Sequence, residues 1–129
     1  EEFELIWGQK PSLSLMKKLT QEGPKIICVK MGSKGSLVYN AQRDQTYRIP
    51  IVPVNAVDST GAGDAYCGGF MAGYGETQDA LEAAVRGTVS ASFAIEEFGL
   101  MHLLDIDKKD ALNRMSTQRK QVDTVTGSY

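Results

Sequence analysis

Residues 57–70 read VDSTGAGDAYCGGF. Gly61, Ala62 and Gly63 stand together after a polar turn, Asp64 follows, and the text beyond it predicts a helix to about Tyr74. The start of a helix carries amide hydrogens without intrahelical partners and a partial positive charge. Glycine at 61 and 63 removes the side chains that would hold an anion away from those amides. A phosphate can sit there, and so can the negative charge that develops in a transition state. Asp64, in the first turn, would share that space, where a carboxylate beside a phosphate is repulsive unless it has a task. The natural task is to take a proton from a hydroxyl that attacks phosphorus. The alternative is a simple N-terminal cap, with Asp64 offsetting the helix dipole, and the residues alone leave both readings open.

Other phosphate and catalytic motifs do not fit. The P-loop pattern G-x-x-x-x-G-K-[ST] is supplied by neither glycine turn. The dinucleotide fingerprint G-x-G-x-x-G would need glycine where Tyr66 stands. With one histidine, His102, and two distant cysteines, zinc-ligand spacing is absent and a Ser-His-Asp site has little to work with. His102 reads as a surface or packing residue.

The chain has 129 residues, 42% of them hydrophobic and 23% charged. That is enough for one modest α/β domain with a core. A net charge of -2 points to no polyanion, so no nucleic-acid partner is expected. No apolar run approaches the ~20 residues of a membrane span. The acidic start EEFELIWG is not a signal peptide. Cys28 and Cys67 read as buried free thiols, which fits a cytoplasmic location. Helix-like text begins at residue 1 with no initiator Met, so the chain is expected to be part of a longer one.

Upstream of the glycine turn, PSLSLMKKLTQEGPK predicts a helix capped by Ser12 or Ser14, with Leu15, Met16 and Leu19 on one face and a stop at Gly23-Pro24. Residues 26–30, IICVK, predict a strand buried on both faces, and helix followed by buried strand suggests a parallel α/β layer. The glycine turn MGSKGS leads into SLVYN, AQRD and QTYRIP, a hairpin. VPVNAVD is extended, since Pro53 blocks a helix there. Downstream, 78–98 is the strongest helix, with Leu81, Ala84, Val85, Thr88, Ser92 and Ile95 at helical spacing and Glu82–Arg86 as an i,i+4 pair. DKKDALNRMS predicts a shorter helix, and residues from about 118 to 129 a loose polar tail.

The stretch DSTGAGDAYCGGF closely resembles the C-terminal signature of the ribokinase-like (PfkB) carbohydrate kinases, D-[ST]-[ST]-G-A-G-D-x-[FY]-x-x-[GA]-[FL]. KIICVKMGSKGSLVYN is similar to that family's strand, glycine turn and next strand, and AAVRGTVSASFAIEEFG to the helix after the signature. The resemblance covers roughly residues 1–105. The family's upstream N-x-x-E motif, with its final glycine aligned on Gly8, would place its Glu at Glu2 and its Asn ahead of residue 1.

The resemblance implies a three-layer α/β/α fold with a mainly parallel sheet and a hairpin, of which residues 1–129 are the C-terminal half. It implies ATP-dependent phosphorylation of a sugar or sugar-like alcohol, a nucleoside included, with Mg2+. Asp64 matches the general base, and Gly61, Ala62 and Gly63 the anion hole. Lys30, Gly32, Ser33 and Gly35 match the nucleotide-binding turn. Lys30 stands where the family often has Thr, as a phosphate contact or a solvated strand end. Thr88 takes the place of an Asn near the base or ribose, and Ser92 lies one turn on; core packing is the competing role for both. Asp58 and Thr60 match a monovalent-cation (K+) site, against a simple turn-stabilising role for Asp58, and Glu2 a Mg2+–phosphate water network. A homo-oligomer is a further expectation. The rival to the kinase reading is a non-catalytic nucleotide-binding piece that needs its missing N-terminal half.

Overall fold

The structure, a computed structural model, describes residues 2–126. Its organising feature is a four-stranded sheet ordered β1 (Ile26–Lys30), β2 (Ser36–Asn40), β3 (Gln45–Ile49) and β4 (Asp123–Val125). Every pairing is antiparallel: Cys28 faces Val38, Val38 faces Tyr47, and Tyr47 faces Thr124. The expected parallel layer is therefore not what these residues build. The reason is the length of the connections. The turns 31–35 and 41–44 allow only a hairpin return, because a parallel neighbour needs a crossover of a dozen or more residues.

The expected three layers are present. Side-chain alternation sends Ile26, Cys28, Val38, Tyr47 and Ile49 to one face, where they pack on α3 (Ala62–Thr77) and α4 (Ala80–Ala94). Ile27, Val29, Leu37 and Tyr39 go to the other face, against Met16 of α2 (Leu13–Thr20) and Phe3 of α1 (Glu2–Trp7). The strand buried along its whole length is β2, at the centre. β1 is an edge strand, in which Val29 alone is buried. Both faces of β1 are thus covered, as expected, but Ile26, Ile27 and Cys28 are only partly buried and Lys30 is exposed.

Helix ends follow their caps. Ser12 Oγ accepts the Leu15 amide, Asp79 the Leu81 amide, and Asp107 the Lys109 amide at the start of α5 (Lys108–Arg119). Ion pairs lock α5 to α4. Arg119 makes a two-pronged contact with Glu82 at 2.7 and 2.6 Å. Arg114 lies 3.7 Å over the Phe93 ring while reaching Glu96. The Arg119 guanidinium, with Arg86 behind it, holds the Glu82 carboxyl below its ordinary range. The expected Glu82–Arg86 pair is also made, at 3.5 Å. Anchored in this way, α5 delivers residues 123–125 to the sheet as β4, so this part of the tail is a strand; residues 127–129 lie outside those described.

α3 and α4 pack backbone against backbone. A Cβ on Gly69 would run into Ser90 Oγ and lie 2.8 Å from the Arg86 carbonyl oxygen, and one on Gly87 would lie 2.8 Å from the Tyr66 carbonyl oxygen. A Cβ on Gly75, in the same helix, would meet nothing. Alanine in place of a helical glycine gains about 1 kcal/mol of helix propensity, whereas overpacking costs about 1–3 kcal/mol. Gly75→Ala is thus expected to raise the melting temperature by a few degrees and Gly69→Ala to lower it, as measured by thermal unfolding of the two variants.

Candidate functional site

The turn at 58–61 ends in Gly61, whose φ of 82° makes it a left-handed N-cap with no side chain to offer α3. Ala62 N donates to Ser59 O at 3.2 Å and Ala65 N to Gly61 O at 2.9 Å. Between them, the amides of Gly63 and Asp64 have no backbone acceptor among the described residues. Asp64 occupies the third helical position with its side chain exposed, and no side chain caps this helix. The capping alternative for Asp64 is not what the geometry holds, although its charge still lies at the positive end of the helix dipole.

Lys30, at the end of β1, reaches across to this helix start. Its Nζ lies 3.5 Å from Gly63 O and 3.7 Å from Cys67 Sγ. Beyond Lys30 the chain makes a single 3₁₀ turn, Gly32–Lys34, closed by Gly35 N donating to Gly32 O. Gly35 is obligatory: its φ is 82°, and a Cβ there would overlap the Ile49 carbonyl oxygen. Between this turn, the extended strip 51–56, the start of α3 and one face of α4 lies a cleft of about 410 Å³. That volume is of ordinary size for a small-molecule site. Lys30, Gly32, Ser33, Gly35, Ala62, Gly63, Thr88 and Ser92 all line it. Gly61 and Asp64 adjoin it without lining it, and neither does Glu2, an exposed residue of α1.

The two α4 hydroxyls are committed elsewhere. Thr88 Oγ1 donates to Ala84 O at 2.9 Å; Ser92 Oγ donates to Val89 O at 2.7 Å and accepts from Arg114 at 3.0 Å. Both are buried and present the cleft with wall rather than with free donors. Asp58 Oδ1 accepts the Thr60 amide at 2.9 Å, the turn-stabilising role. That amide, with the Thr60 hydroxyl, holds the Asp58 carboxyl below its ordinary range and hence ionised, a state that also suits a cation neighbour. His102 is a packing residue, its Nε2 2.8 Å from Phe93 O.

Sequence reasoning passed over Tyr66. Its hydroxyl lies 3.1 Å from Cys28 Sγ on β1 and 3.1 Å from Ser36 Oγ on β2, pinning the first turns of α3 to the sheet. Burial pushes both the Tyr66 hydroxyl and the Cys28 thiol above their ordinary pKa, so both stay neutral. The cysteines are free, but only Cys28 is even partly buried; Cys67 is exposed, one residue past Tyr66 on the surface of α3, which corrects the reading of two buried thiols. The apolar strip 51–56 was also missed as a cleft wall; its only sequence signal was extended text.

Residues 1–107 match the profile described as pfkB family carbohydrate kinase. A cytidine kinase of Thermococcus kodakarensis is 36% identical over 95 residues, covering 74% of this chain and 34% of that protein. Among solved structures, ribokinase from Thermotoga maritima superposes with a TM-score of 0.67 at 26% identity, covering 88% of this chain and 37% of that one. Fructokinase from Vibrio cholerae, in a form bound to fructose, ADP and calcium ion, gives a TM-score of 0.70 at 21% identity over 87% of this chain and 37% of that one. The chain thus spans about a third of the length of the relatives it matches. No helix among the described residues is long and apolar enough to cross a membrane.

Proposed function

The chain belongs to the pfkB family of carbohydrate kinases, and from that premise we propose that it carries the nucleotide cleft and catalytic acid of an enzyme that moves the γ-phosphate of ATP to a hydroxyl of a sugar or nucleoside. Its relatives are sugar and nucleoside kinases. The observation that supports this reading best is the convergence of Lys30, the glycine turn and the side-chain-free start of α3 on one cleft.

In this reading the base lies between the 32–35 turn and the α4 wall at Thr88 and Ser92, and the phosphates run toward the amides of 61–64. Lys30, beside Gly63 O, lies where it neutralises phosphate charge. Asp64 takes the proton of the acceptor hydroxyl as its oxygen attacks the γ-phosphorus, and the amides of Gly61 and Gly63 hold the charge that develops; that of Ala62, the third expected member, is already donated to Ser59 O at 3.2 Å. Mg2+ would supply charge neutralisation on the phosphate oxygens. In this reading the ion is carried chiefly by the phosphates, with Glu2, an exposed residue of α1, proposed for its water network. Asp58 and Thr60 are the proposed holders of a monovalent cation such as K+. A second reading, a nucleotide-binding module without turnover of its own, is supported by the exposure of Asp64.

The test is a phosphate and ATP titration of the chain followed by amide NMR. Shifts concentrated at 61–64 are expected. Gly63→Val should abolish them, since even a Cβ there lies 3.1 Å from Lys30 Nζ and a branched side chain would cover the amides. Shifts centred elsewhere, or surviving that variant, would refute the placement.

A further inference from the structure

We infer that the cleft selects its nucleotide by the phosphates and by apolar contact with the base, and does not discriminate one purine base from another, so that GTP serves as phosphate donor about as well as ATP. The inference rests on the proposed function above and concerns the same cleft.

The cleft has few free polar groups to offer a base. Where a base would lie, the walls are Ile51, Val52, Val54, Ala91 and Ile95. The side-chain hydroxyls there already have partners, and those of Thr88 and Ser92 have no hydrogen left to donate to a base edge. Thr88 Oγ1 is spent on Ala84 O, Ser92 Oγ on Val89 O and Arg114, and Ser36 Oγ on the Tyr66 hydroxyl. The polar side chains left over are Lys30, Ser33 and Ser59. Lys30 and Ser59 sit at the start of α3, the phosphate end, and Ser33 is an exposed residue of the 3₁₀ turn. The backbone of 51–56 makes no hydrogen bond to other backbone among the described residues.

A pocket that hydrogen-bonds a particular edge rejects the wrong partner by about 10⁴–10⁵-fold, whereas an apolar pocket separates similar groups by only about 10–200-fold. An apolar slot occupied by a flat ring of nearly constant size belongs at the low end of the second range.

The experiment is equilibrium binding of ATP, GTP and inorganic tripolyphosphate to the chain by calorimetry, repeated with Ser33→Ala and Thr88→Val. The expected result is ATP and GTP Kd values within about 10-fold of each other, with tripolyphosphate weaker than both for want of a base. In each variant the two nucleotides should move together, leaving their ratio within about 3-fold of the parent's. An ATP preference above about 100-fold, or a ratio that shifts in either variant, would overturn the inference while leaving the donor site in place. If neither nucleotide binds, the proposed function fails and the inference fails with it.

Discussion

Asp64→Asn is expected to lower turnover by about 10²–10⁴-fold in a form of the protein that phosphorylates its acceptor, the usual cost of losing a general base. Nucleotide affinity should stay within about 3-fold, because the amide keeps the shape of the carboxylate and the amides of 61–63 are untouched. The size of the effect separates the two roles open to this residue. As a charge at the positive end of α3, Asp64 would be worth about 0.3–1 kcal/mol of helix stability and nothing in rate. As a base, it controls the rate and almost nothing else. The structure narrows the choice, because the N-cap is Gly61 and Asp64 caps nothing, yet its side chain stands exposed one residue from the cleft lining. Steady-state kinetics paired with nucleotide binding on the same variant decides the matter. Near-normal turnover in the Asn variant would return Asp64 to the dipole role and remove the proposed mechanism.

The parts of this site that could be read in the sequence are those whose chemistry is local. Gly61, Gly63 and Asp64 lie within four consecutive residues, and the helix start with a left-handed glycine cap found there is the one that their spacing implies. The helix starts were legible for the same reason, since caps such as Ser12 and Asp79 act over three or four residues, whereas helix ends were less so: the helix expected over 78–98 stops at Ala94, and the one expected to end near Tyr74 runs to Thr77. Strand pairing was not. IICVK is equally good text for a parallel and an antiparallel strand, and the signal that distinguishes them, the shortness of 31–35, lies outside the strand. β4 was hidden because DTV carries little apolar character; it becomes a strand through the Arg119–Glu82 and Arg114–Glu96 pairs that place α5. Tyr66 was missed as a strut because its partners, Cys28 and Ser36, come from strands 38 and 30 residues away. Ser92 shows the converse. Its position matched a ligand contact, but its hydroxyl is shared between Val89 and Arg114, the latter out of reach of any local pattern.

The 129-residue chain on its own is expected to bind nucleotide but not to phosphorylate sugars, and to self-associate. Catalysis by positioning requires acceptor and donor to be held together, an advantage of about 7–11 kcal/mol in the barrier. The described residues form the proposed donor cleft, but Asp64, the proposed base for the acceptor, is exposed and does not line it. Self-association follows from the sheet order. β1 is outermost, so among the described residues one side of its backbone has no ladder partner, and its sequence is apolar apart from Lys30 at one end, a weak guard against edge-to-edge pairing. Large apolar side chains add to the tendency, since Leu5 is 84% exposed, Ile6 71%, Phe98 78% and Leu104 78%. Light scattering should show assemblies larger than the 14.1 kDa monomer. The register chooses the probe. Met31 N donates to Gly35 O and Lys25 O accepts the Ala41 amide, so the odd-numbered residues of β1 bond to β2 and the amides of Ile26 and Cys28 point to the open edge. Ile26→Pro removes one of those edge donors at the first residue of the strand, where proline is tolerated. It should reduce the assembly, with circular dichroism reporting whether the fold survives. A coupled ADP-release assay over a panel of sugars and nucleosides completes the test. A monomeric chain that turns over any acceptor at rates of about 1 s⁻¹ or more would show that these residues already hold both reactants in register.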